Sequence, residues 1–396
     1  MRSPLRSTVS RRDPGRPALP WQPWATPALT PVAGLLLVLL PLPALTQAPG
    51  PSPFEARVGA VFQTYQFAEE EAVGLRSLSL FSTPVAGAFP IGGAATVEVR
   101  SAFARGSLET ARGETVDVSG LTDTEVRVGF RIPGTFTVQL QAIGVIPTGN
   151  ASHTEEEAVL AGAVASDLLP FRISNWGAGG GGGGLVAVSR GFGATAVGMS
   201  ASYLAGRAFE PLSGESFAYR PGDHVRVRGA LDHDVDGGGR FTVSLTLDRF
   251  SEDLLDDANL YRAGNRVQTV ASYSFRQGRT GSGIVYGGVF HRSQGTALLE
   301  PAPSVPSQQL LLAGAGLRRP TGGVTLVPTF DVRVHRTEDG VGQGWLPGAG
   351  LGVEIPAGGW VVVPTARARY GRILIREGSE SAITGLELSL TTRPRR

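Results

Sequence analysis

An acid and an arginine two residues apart recur along the chain, as Glu55/Arg57, Glu98/Arg100, Glu125/Arg127 and Asp331/Arg333. On an extended strand, residues i and i+2 share a face, so each pair sets opposite charges side by side. Two kinds of chemistry are open to such an array. Cross-strand ion pairs can stiffen a wall, or a charge-lined path can select solutes, with a mild arginine excess favouring anions. Arg131, Arg226, Arg228, Arg367 and Arg369 fall on the polar parity of their own segments. So do His224, Asp232, Asp248, Arg266, His335, Glu354 and Glu387.

Other reactive patterns are weaker. Asp232-His233-Asp234-Val235-Asp236-Gly237 matches the opening of a calcium loop, but Val243 stands where the closing glutamate belongs, so an ordinary acidic turn is expected and no metal. Glu252, Asp253, Asp256 and Asp257 crowd one loop, either solvated or bridging lipopolysaccharide through divalent ions. The five histidines (His153, His224, His233, His291 and His335) are scattered, and none has a local serine or aspartate in a nucleophile–base pattern. No catalytic residue and no cofactor are expected.

Composition narrows the classes. The 396 residues include no cysteine, which removes disulfides, thiol nucleophiles and thiolate zinc sites. Net charge is +2 and every basic side chain is arginine, which reflects base composition rather than a nucleic-acid surface. Residues 1–48 read as a signal peptide. Arg2, Arg6, Arg11, Arg12 and Arg16 precede the apolar run Val32–Leu45, and Thr46-Gln47-Ala48 offers a small-x-Ala cleavage site. The mature part, residues 49–396, is expected to be exported.

The elements that carry the charges are strands. Leu121–Val145 alternates Val126, Val128, Phe130 and Ile132 with polar residues, turns at Pro133-Gly134, then alternates Phe136, Val138, Leu140 and Ala142. Sixteen such segments are readable from Phe54 to Thr391, with fourteen the next count. Short turns alternate with long connections, as in an outer-membrane barrel whose apolar parity faces lipid. A secreted β-sandwich is the rival, but its strands usually run about 5–6 residues. Several segments here reach the roughly 9–11 that cross a tilted bilayer. Trp345 and Trp360 fall near strand ends, where interface anchors are expected.

The longest connection, Pro147–Gly183, holds a helical insert at residues 153–170. Thr154 and Glu157 form a capping box, and Leu160, Val164 and Leu168 follow before Pro170. The helix either enters the barrel as a plug or caps the loop outside. The glycine run Gly177–Gly184 predicts a flexible exit.

Ser119-Gly120-Leu121-Thr122-Asp123-Thr124-Glu125 and Ile146-Pro147-Thr148-Gly149 resemble strand-end motifs of the outer-membrane family linked to phenol meta-pathway and aromatic degradation, itself similar to the long-chain fatty-acid channels. Thr122 and Ile146 replace that family's usual glycine and leucine. The resemblance implies passive movement of small hydrophobic or aromatic compounds. The chain closes on Arg395-Arg396, not on the terminal aromatic residue that barrel-insertion machinery commonly reads.

The expectation is therefore an all-β, antiparallel transmembrane barrel of a Gram-negative-type outer membrane. It would act as a porin for a small-molecule solute, in contact with membrane lipid and lipopolysaccharide and assembled by the insertion machinery. A structural or adhesive surface barrel is the alternative, and an outer-membrane hydrolase the third.

Overall fold

A computed structural model describes residues 55–278, 280–299, 305–376 and 379–395. The signal-peptide reading lies outside them. The barrel strands are β1 Glu55–Phe67, β2 Leu75–Ile91, β3 Ala95–Thr110, β4 in two segments Thr115–Leu121 and Thr124–Ile132, and β5 Thr137–Ile146. They continue with β6 Gly181–Phe192, β7 Thr195–Gly206, β8 His224–Val235, β9 Gly239–Phe250, β10 Arg266–Gln277 and β11 Gly281–Arg292. The last are β12 Gln308–Thr321, β13 Val324–Thr337, β14 Gln343–Ala357, β15 Trp360–Arg376 and β16 Ser379–Pro394. Every neighbour is antiparallel, and β1 pairs with β16 from Val58↔Thr392 to Phe67↔Ile383, which closes the ring. The molecule is a closed 16-strand antiparallel barrel.

The period-2 pattern sets the two faces. Phe62, Phe81, Phe103, Phe130, Phe330 and Leu388 point outward and are exposed. Their strand neighbours Gln63, Leu80, Ala104 and Glu387 are buried on the other side. Aromatic residues edge the outer face at both ends. Phe136, Phe192 and Trp360 stand at the short-turn rim and Tyr203 and Trp345 toward the loop rim. Arg190 lies 5.0 Å over the ring of Phe136 and 4.8 Å over Phe192, the cation–aromatic stacking that suits a water–lipid boundary. Among the described residues no helix is long and apolar enough to cross a membrane.

Several strands outrun their sequence reading. Strand β3 runs on to Thr110 and β4 opens at Thr115, where Val116 and Val118 alternate with Thr115, Asp117 and Ser119. The glycine run is not a flexible exit: Gly181–Gly184 open β6 and pair with Gly206–Tyr203 of β7. A Cβ at Gly183 would collide with the backbone of Tyr203, so the residues that suggested looseness allow close strand approach instead. Strands β13 and β14 are joined by a short connection of residues 338–342. Outer loops add a small sheet of Tyr219–Arg220, Glu252–Leu255, Ala258–Arg262 and Thr296–Ala297. Two helices occur among the described residues: α1 Glu70–Val73 and α2 Glu155–Val164.

Candidate functional site

The loop between β5 and β6 lies inside the ring. Its helix α2 is shorter than the 153–170 insert expected from pattern, ending at Val164. The capping box forms with both arms: Glu157 N–H donates to Thr154 Oγ1 at 3.3 Å and Thr154 N–H to Glu157 Oε2 at 2.9 Å. Leu160, Val164, Leu168 and Trp176 are fully buried against Tyr65, Leu78, Leu80 and Leu108, all from the enclosed parity of the wall. The inward face near the loop rim is therefore apolar, where a polar lining was expected. Arginines there would have no water or acid to meet the desolvation they would suffer.

Polar ties hold the loop across the lumen. Gln63 Nε2 donates to Pro170 O at 2.8 Å, and Arg172 N–H donates back to Gln63 Oε1 at 2.8 Å. Arg172 Nη2 donates to Glu387 Oε1 at 2.5 Å. Arg333 Nη2 donates to Asp167 O at 2.7 Å, and Trp176 Nε1 to Ala104 O at 3.1 Å. These partners lie on β1, β16, β13 and β3, and a segment outside the ring could not reach all four. The Trp176 ring sits so close to Gly106 that a Cβ there would strike it.

The two motifs that carried the family resemblance meet at the root of this loop. Strand β4 breaks at Thr122-Asp123. Asp123 Oδ1 accepts from Gly149 N–H at 3.1 Å and Oδ2 from Ala178 N–H at 2.8 Å, so one carboxylate clasps the loop's entry and its exit. Thr148 Oγ1 donates to Thr122 O at 2.9 Å and lies 2.8 Å from Thr124 Oγ1. At Gly149 any side chain would run into Trp176 O and Asp123 N. In the sequence the two motifs are separate strand ends, and their spacing carries no signal that they touch.

Of the acid-x-arginine pairs, two close within their own strands. Arg127 Nε and Nη2 donate to Glu125 at 2.8 and 3.1 Å, and Arg100 Nη2 donates to Glu98 at 3.0 Å. The register Glu98↔Arg127 and Arg100↔Glu125 then sets the two pairs together as a quartet on β3 and β4. Asp331 and Arg333 do not pair. Asp331 takes Arg369 at 2.6 Å and Arg367 at 3.3 Å from β15, because Gly348 and Gly350 of the intervening β14 leave those side chains room. Arg226 binds Asp248 through Nε at 2.6 Å and Nη2 at 3.2 Å. Arg131 and Arg228 have no ion-pair partner among the described residues. Arg57 shares the parity of Gln63, and the Glu55 side chain lies outside the described set.

Of the five histidines, His291 and His335 line one small cavity, and His153 and His233 lie elsewhere. His224 lies 2.9 Å from Asp248, His233 beside Thr195, and His335 beside the carbonyl of Gly342. His153, 3.8 Å from Glu157, has its pKa lowered by burial, partly countered by that glutamate. In the Asp232–Gly237 turn, Asp232 accepts from Thr242 at 2.6 Å and pairs with Arg240 at 3.2 Å, both across the β8–β9 hairpin. Asp253 is not the solvated acid expected of its loop. It is buried, accepting from Tyr219 Oη at 2.8 Å and Gly222 N–H at 2.7 Å, and burial pushes its pKa up to about 6.

No protein-family model matches the chain, and no curated protein matches it in sequence. Solved barrels are similar to it at low identity. A triple mutant of the Rhodopseudomonas blastica porin is 12% identical, covering 85% of this chain and 99% of its own, with a TM-score of 0.38. The anion-selective porin from Comamonas acidovorans is 11% identical over 86% and 98%, with a TM-score of 0.40. The CymD monoaromatic hydrocarbon channel is 11% identical over 87% and 89%, with a TM-score of 0.39. The barrel assignment stands on this chain's own strand pairing.

Proposed function

We propose that the chain is a passive outer-membrane channel for small solutes, whose passage runs between the inward loop and the lumenal wall of β8–β13. One observation carries this: a closed ring with an apolar exterior holds a loop across its lumen on four strands, leaving a charged cavity on the opposite side. A structural barrel has no need of a narrowed lumen lined with unneutralised arginines. The motif likeness to aromatic-degradation barrels supports solutes with an apolar part, and the basic wall supports anionic ones. Purified protein reconstituted in planar bilayers tests the reading. Stable single-channel conductance with anion preference is expected, and an electrically silent barrel would retire it in favour of a surface role.

A further inference from the structure

Arg266 on β10 and Arg292 on β11 are direct cross-strand partners on the lumenal face. Like charges placed opposite one another destabilise a sheet unless something negative lies between them. The adjacent carboxylate is spoken for: Asp248 is held by Arg226 at 2.6 Å and by His224 at 2.9 Å. The other nearby acid, Asp167 on the inward loop, lines the same cavity but forms no ion pair among the described residues, and only its backbone carbonyl is engaged, by Arg333. Neither Arg266 nor Arg292 forms an ion pair within 4.0 Å among the described residues, although Asp167 and Asp248 lie near enough to act on Arg266 through charge. Arg266 is nevertheless held in place, its guanidinium 5.2 Å over the Phe250 ring, on which His224 stacks at 4.8 Å and 7°.

Between these groups lies a cavity of about 40 Å³, also lined by Phe290, Leu310 and Gln308. A water needs roughly 10–15 Å³ by this measure, so the space suits about three waters, or an anion of four or five heavy atoms. Arg266 and Arg292 give the cavity a cationic, planar-donating edge and Phe290 and Leu310 an apolar one, with Asp167 and His335 also on its wall. Guanidinium forks match the geometry of a carboxylate better than that of a spherical ion.

We propose that Arg266 and Arg292 form a binding site for a short-chain carboxylate, its oxygens between the two guanidiniums and its alkyl end on Phe290 and Leu310. The inference rests on the reading of the lumen as a passage, and it places the solute's resting point there.

The test is calorimetric titration of propionate into the detergent-solubilised full barrel, beside propionamide and chloride, with bilayer conductance recorded on the same preparation. Propionate is expected to bind saturably and propionamide not at all. Arg266→Gln and Arg292→Gln are each expected to weaken propionate binding by about tenfold, the effect of losing one charge-assisted contact. Arg112→Gln, in the β3–β4 turn, is expected to leave it unchanged. Propionamide binding as well as propionate, chloride competing equally, or retention of affinity in both variants would overturn the site. Should either variant fold poorly, the acid–amide comparison on the unaltered protein still decides. Conductance without propionate binding sinks this site alone; binding in a silent barrel sinks the passage.

Discussion

At the scale of single residues, the burial of charge dominates. The Asp331–Arg369 pair is almost wholly enclosed, with side chains 10% and 4% exposed, and its 2.6 Å contact compensates two desolvated charges. Removing one partner strands the other, at a cost of about 3–5 kcal/mol. Asp331→Ala should therefore lower the denaturant midpoint of the refolded barrel markedly. The double change Asp331→Ala/Arg369→Met should recover part of the loss, the remainder falling on Arg367, which also pairs with Asp331, as a double-mutant cycle in urea would show. Asp253 gives a pH signature instead. Its folded pKa of about 6 lies above the ordinary 3.8, so its contribution to the outer sheet is fully present below 3.8 and is lost as pH rises through about 6. Amides of Ala258–Arg262, corrected for intrinsic exchange, should be better protected at pH 5 than at pH 7.5, and Asp253→Asn should flatten that difference.

At the scale of elements, strands were readable because period-2 alternation survives in every barrel segment. All sixteen segments picked out by pattern correspond one to one with β1–β16. What pattern did not show was pairing at a distance. Asp331 and Arg333 share a face and spacing with the pairs that close, yet the glycines of β14 redirect Asp331 to β15. The interior position of α2 was equally hidden: a short helix without a marked apolar face buries Leu160 and Val164 against whatever apolar surface its loop can reach. The inward face supplies it through Tyr65, Leu78 and Leu80. The clasp at Asp123 ties the loop's entry and exit to β4. Asp123→Ala should release residues 149–178 from the lumen, raising single-channel conductance severalfold. In a background with Trp21, Trp24, Trp345 and Trp360 all changed to Phe, the same change should shift Trp176 emission to the red. Unchanged conductance and emission would show that wall packing alone retains the loop.

At the scale of the whole molecule, closure and the inward loop are not independent. Strands β1 and β16 form the ring's only junction between the two ends of the barrel segment, and Gln63 and Glu387 face each other across it. Gln63 takes Pro170 and Arg172, and Glu387 takes Arg172. Residues 170–172 thus act as a rivet through the zipper where the cylinder is sewn shut. Unpicking that suture and withdrawing the lumenal strap become one concerted event, so hydrogen exchange at Val61–Tyr65 and at 168–176 should rise together under mild denaturant. A protein that unbuttoned its first strand while Trp176 stayed protected would show that the rivet does not hold the hoop.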